Sequence, residues 1–159
     1  MCLLFFARKR RAKLLHAKNM ILIAAADSEI KDEEMIIMHN ILNRLNISHD
    51  TFKRALYELD RDSKISIKGD VLYLSRDVIT SIEVVPVQDL KEKIRILLDY
   101  VMVMMSDGNI NDKEIAICDA IAKKMGLPRT MVDACIRDIG RKTNGYGADY
   151  HRDPEDFEQ

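Results

Sequence analysis

The chain has 159 residues, 47% of them hydrophobic and 32% charged, with a formal net charge of −1. That composition excludes a disordered chain, and the charge supplies no global field to draw in nucleic acid or a membrane surface. Six glycines, three prolines and no tryptophan point to helices around a Leu, Ile and Met core, in a chain long enough for one well-buried domain.

Residues 1–6 are apolar, and Arg8, Lys9, Arg10, Arg11, Lys13 and Lys18 follow them. That order is the reverse of a signal peptide, and the apolar run is far shorter than a bilayer span. Residues 1–11 therefore read as a flexible basic N-terminus, and membrane-surface contact is its functional expectation. A partly docked terminus is the commoner fate of such a segment. The basic run lacks interleaved aromatics, so no nucleic-acid partner is expected. Cys2, Cys118 and Cys135 form no CxxC pair or zinc spacing; they read as reduced thiols and place the chain in the cytoplasm.

Apolar periodicity predicts helices over 10–27, 32–46 and 49–60, then over 89–106, 112–125 and 128–140. The two sets superimpose at a shift of 80 positions without a gap. Asp27, Ile30, Asp32, Glu34, Ile37 and Ile41 fall on Asp107, Ile110, Asp112, Glu114, Ile117 and Ile121. The apolar faces also match: Leu14, Ala17, Ile21 and Ala24 fall on Ile94, Leu97, Val101 and Met104. Such a repeat means two equivalent three-helix units, residues 14–59 and 94–139. Asn111 with Glu114, and Asp89 with Glu92, fit capping boxes. Gly108 and Gly126 fit helix C-termini, and Pro128 fits a first helical turn. Between the units, 61–88, a helix capped by Asp70 with Val71, Leu74, Val78 and Ile82 inward is expected over its rival. That rival is a hairpin through Lys68-Gly69-Asp70, disfavoured because helical surroundings offer no sheet to join. Residues 141–159, with Asp149, Asp153, Glu155, Asp156 and Glu158, read as a mobile acidic tail.

Two acidic turns follow the first helix of each unit. They are Asp27-Ser28-Glu29-Ile30-Lys31-Asp32-Glu33-Glu34 and Asp107-Gly108-Asn109-Ile110-Asn111-Asp112-Lys113-Glu114. Asp27 and Asp107 stand at a helix C-terminus, where the dipole disfavours a carboxylate by about 0.3–1 kcal/mol. Turn amides or a nearby cation must offset that cost twice. Capping is the commoner duty for such residues. The functional alternative is a hard cation, Ca²⁺ or Mg²⁺, held by carboxylate and backbone oxygens. These are not EF-hand loops, because Asp112 and Cys118 stand where Gly and Glu are required. No Gly-rich phosphate loop, Ser/His/Asp arrangement or histidine metal spacing involving His16, His39, His49 or His151 is present, so no enzyme is expected.

The stretch from Val103 through Asp107-Gly108-Asn109-Ile110, then Glu114, then Ile121 through Met125-Gly126-Leu127, resembles the TerB family of tellurite-resistance helical domains, also found at the start of the DjlA co-chaperones. Unit one repeats it from Ile23 to Ile30, then Glu34 and Ile41 through Leu45-Asn46-Ile47, with Ser28 and Asn46 in place of glycines. The likeness covers 12–140. It implies an all-α, pseudo-two-fold bundle of about seven helices and a role in tellurite or general stress resistance. It also implies protein partners, and a divalent metal at Asp27, Glu34, Asp107 and Glu114. A J domain would need His-Pro-Asp, which His151-Arg152-Asp153-Pro154 is not. The competing expectation is a structural adaptor without a ligand, presenting its surface to a membrane-associated partner or co-chaperone system.

Overall fold

The computed structural model describes residues 10–27, 30–69, 71–143 and 145–152. The apolar start, Cys2, Arg8 and Lys9, the expected capping role of Asp70, and Asp153, Glu155, Asp156 and Glu158 of the acidic tail lie outside the described residues. Within them the chain is mostly helical, with six α-helices and one two-stranded sheet. Before the sheet come α1 (Arg10–Ala24), α2 (Asp32–Arg44) and α3 (His49–Arg61); after it come α4 (Leu90–Met105), α5 (Asp112–Lys124) and α6 (Met131–Lys142). A short 3-10 turn, Ala25–Asp27, continues α1 into the first acidic turn.

α1 and α4 form the centre. From Leu15 onward nearly every residue of α1 is buried, and Ile96 through Met105 of α4 is almost as enclosed. Helices apolar around most of their circumference are buried on several sides. α1 packs on α3, α4 and α5, and α4 packs on α6, α2 and α5. Met20, Ile21, Ile23, Leu97, Val101 and Met104 meet there with no more than trace exposure. Each such side chain contributes about 1.5–3 kcal/mol by leaving water. Cys118 and Cys135 lie in the same core as free thiols. Burial pushes the Cys135 thiol up to about 11 and Cys118 upward as well, so both are inert.

Matched helix ends have matched chemistry. Asn46 and Gly126 both adopt left-handed φ, 55° and 77°. Beyond them, the Ile47 amide donates to Leu42 O at 2.8 Å and the Leu127 amide to Ala122 O at 2.9 Å. Both are Schellman-type closures, in which Asn is the usual substitute for Gly. Two expected caps differ. The Asp89 side chain makes no cap bond, and α6 begins at Met131, with Pro128 accepting the Met131 amide from outside the helix. At the start of α2, Glu34 accepts from the Lys31 amide at 3.1 Å, the carboxylate half of a capping box; the Lys31 ammonium has no acceptor with which to complete it.

The connection is not the expected helix. Residues Ile65–Lys68 (β1) and Val71–Leu74 (β2) pair antiparallel, Ile65 opposite Leu74 and Lys68 opposite Val71. The helical count is accordingly six among the described residues rather than about seven. A hairpin is marginal alone but stable when it packs on a helix. β1 lies on α3, β2 lies on the Ala25–Asp27 turn, and Ile65 is buried. Gly69 supplies the left-handed φ of 65° that the tight reversal needs. Val71 and Leu74 are half-buried; Val78 and Ile82 are buried, but from the segment after β2 that carries a short 3-10 turn, Ile79–Ser81.

Residues 145–152, which the sequence reading assigned to the acidic tail, cross the outer face of α6. Arg152 donates to Asp119 at 2.6 Å and to Asp133 at 2.8 Å, and Arg137 donates to Tyr150 O. Gly140 allows this passage: a Cβ there would stand 2.3 Å from Tyr146 O and 2.4 Å from the Ala148 amide. Gly140→Ala should lift the strap from α6 at a cost of about 1–3 kcal/mol. Hydrogen exchange of the 145–152 amides would then accelerate without loss of helical circular dichroism. Unchanged protection would mean the strap does not depend on that contact.

Candidate functional site

The two acidic turns meet. Asp27 ends the 3-10 turn after α1, Glu34 lies in the first turn of α2, and Asp107 follows α4. One carboxylate oxygen from each lies within 4.8 Å of the other two. Three of the four sequence-predicted residues are thus one cluster. Glu114, the fourth, is not among those oxygens, but it is equally buried and its charge is felt together with theirs.

Lys31 stands among these acids. Its Nζ is 2.5 Å from Asp107 Oδ2 and 3.7 Å from Asp27 Oδ2. A cation therefore offsets the dipole cost expected at both aspartates, and at Asp107 a turn amide does so as well: its Oδ1 accepts the Asn109 amide at 3.0 Å. The Asp107 hydrogen bond raises the Lys31 ammonium above the ordinary lysine range. Lys31 thus remains charged at any physiological pH.

Glu34 and Glu114 have a different environment. Both are 1% exposed. Burial, reinforced by the charges of Asp27 and Asp107, pushes Glu34 up to about 7, against the stabilising Lys31 amide. Burial pushes Glu114 up to about 9, with Glu34, Asp27 and Asp107 adding to the effect. Glu34 Oε1 accepts the Lys31 amide at 3.1 Å, whereas its buried Oε2 has no hydrogen-bond partner. A buried carboxylate oxygen with no donor costs about 1–3 kcal/mol or more, and a proton or a cation would relieve it. From the strap, Tyr146 hydrogen-bonds the Ile110 backbone over the second turn.

No protein-family model matches the chain, no curated protein matches it, and no solved structure matches it. What the junction can do follows from its own donor set. Oxygens bound to one Ca²⁺ at about 2.3–2.6 Å lie no more than about 5 Å apart, and the three carboxylates already meet that limit. They suit a hard, oxygen-seeking ion; no cysteine or histidine belongs to the cluster among the described residues, so a softer metal has no sulfur or nitrogen ligand there.

A second polar constellation escaped the sequence reading. His16 is fully buried, with Nδ1 2.9 Å from the Tyr100 hydroxyl and Nε2 3.2 Å from Asp99 Oδ2. Arg44 donates to Asp99 Oδ1, and Asn19 donates to the Tyr100 hydroxyl and to Glu83 O. A neutral imidazole satisfies this chain when Nε2–H donates to Asp99 and Nδ1 accepts from Tyr100. The network ties α1, α2 and α4 together. Its signal was present in sequence: Asp99 is the one acid inside the apolar run 96–105, and His16 interrupts the apolar run of α1. A lone acid and a lone histidine on two buried helices must find partners.

Proposed function

We propose that this chain is a non-enzymatic binding module of the TerB-like, stress- or tellurite-resistance kind, which takes one divalent cation, Ca²⁺ or Mg²⁺, where its two acidic turns meet and docks to partner proteins. The observation that carries the reading is the three-carboxylate junction with the unpartnered Glu34 oxygen. The pseudo-two-fold duplication belongs to the same reading. Its support is that α2 and α5 span equivalent residues at the shift of 80, and that α2 packs on α4 as α5 packs on α1. A duplicated unit explains why one ion would draw ligands from both halves.

Chelator-treated protein should gain thermal stability with one of Ca²⁺ or Mg²⁺ at constant ionic strength. An ion at about 100 times its dissociation constant adds about 2.7 kcal/mol, several degrees in Tm for this size. Asp27→Asn combined with Asp107→Asn should abolish the gain. Equal gains in the double variant and the wild type would remove the junction from the account. The second reading, a ligand-free adaptor, is favoured by one feature: Lys31 already neutralises part of the junction. In that reading Arg10, Arg11, Lys13 and Arg54, which line an open groove that also holds Asp50 and Glu58, would face an anionic membrane or partner. No helix among the described residues is long and apolar enough to cross a membrane.

A further inference from the structure

The two turns differ in charge at Glu29/Asn109, Lys31/Asn111 and Glu33/Lys113, and the second of these differences places an ammonium in the junction. The position that holds Asn111 in the second turn holds Lys31 in the first. Asn111 behaves as a helix cap, its Oδ1 accepting the Lys113 amide at 2.8 Å. Lys31 leaves its own helix uncapped by side chain and reaches across to Asp107 of the other unit. One ammonium therefore serves the carboxylates of both turns. Its side chain is 34% exposed, whereas that of Asp107 is 7% exposed. The lysine enters from the rim and has a path back to solvent. A substituent that fills the acidic junction yet leaves Glu34 Oε2 without a donor is an incomplete occupant.

We propose that Lys31 is a tethered counter-cation: its ammonium occupies the junction of Asp27, Glu34 and Asp107 in the ion-free protein and must swing out when a divalent cation enters. The inference rests on the cation-binding reading above and names the residue that sets that site's affinity. The competition follows from charge. An ammonium and a divalent ion cannot both stand a few ångströms apart among the same carboxylates without repulsion. Displacement also gives up a charge-assisted hydrogen bond to Asp107. Lys31 thereby raises the cation concentration at which the site fills, and it spares the ion-free protein three uncompensated acids.

The test is calorimetric titration of the chelator-treated full chain with Ca²⁺ and with Mg²⁺, for the wild type, Lys31→Met and Lys31→Asn. The asparagine variant copies the second turn and supplies a preferred cap, so it guards against a methionine variant that fails to fold. Loss of a charge-assisted bond of the usual size predicts affinity about tenfold or more tighter in both variants. Lys31→Arg, which keeps the charge, should stay near the wild-type value. Before ion is added the neutral variants should melt lower than the wild type, and saturating Ca²⁺ should close that gap. Tight binding by the variants with none by the wild type would also support the tethered cation, while overturning the claim that the natural chain takes an ion. Unchanged affinity in folded Lys31→Asn, beside measurable wild-type binding, overturns the competitor role and leaves the site. Silence from the wild type and both neutral variants overturns both.

Discussion

His16→Leu should destabilise the protein by about 3–5 kcal/mol, the usual cost of breaking a buried, hydrogen-bonded pair from one side. The reason is what it strands. Asp99, with a side chain 3% exposed, would keep only Arg44, whose own side chain is about half in water. The Tyr100 hydroxyl, fully buried, would lose its acceptor. Chemical denaturation should show the loss as a lower midpoint with an unchanged slope, and Tm should fall by roughly 6–20 °C. Adding Asp99→Leu should recover part of it, because removing both partners costs less than stranding one. A loss under about 1 kcal/mol for His16→Leu would reduce the network to ordinary packing.

The second large effect is on pH dependence. Glu34 and Glu114 have folded pKa values near 7 and 9, above the unfolded value of about 4.3. Between those limits the folded state holds protons that the unfolded state has released, so stability falls as pH rises. Each glutamate contributes a slope of up to about 1.4 kcal/mol per pH unit, ending for Glu34 near pH 7 and for Glu114 near pH 9. Glu58 works in the other direction. Lys18 and Arg54 hold it near 2, so its contribution is present above pH 4 and is lost as pH falls toward 2. The ion-free protein should therefore be most stable near pH 4. Glu114→Gln should flatten the alkaline limb and raise stability at pH 8.5 relative to the wild type. An unaltered limb would mean that Glu114 is ionised in the folded protein. Saturating Ca²⁺ should flatten the limb as well, because an ion favours the ionised form of Glu34 and releases its proton on binding.

Much of the helical framework is legible in the chain because apolar period and end signals agree there. Asp32–Arg44 and Asp112–Lys124 begin and end within a residue or two of where the pattern puts them, and the left-handed closures fall at Asn46 and Gly126. The hairpin is not legible by the same logic. Val71, Leu74, Val78 and Ile82 do step at helical spacing, yet Ile65, Ile67, Val71 and Tyr73 are strand formers flanking Gly69, and a two-stranded ribbon finds its partner surface on α3 rather than in a sheet. The strap is hidden for another reason: its docking depends on an absent side chain, Gly140, and on one arginine, Arg152. The candidate site is partly legible. Its four acids are repeated in sequence, but their meeting depends on the packing of α1 against α4 and α5, which periodicity alone does not fix. Lys31 is visible only as a departure from the repeat, and its partner Asp107 lies 76 residues away.

Stoichiometry tests the central claim most directly. Calorimetric titration of the chelator-treated wild type with Ca²⁺, and separately with Mg²⁺, should give one ion per chain for the ion that binds, and Asp27→Asn and Asp107→Asn should each abolish it singly, since both turns build one site. Two ions per chain, each lost with only one of the two substitutions, would contradict a shared junction. No heat of binding with either ion at millimolar concentration would return the four acids to turn and capping duty.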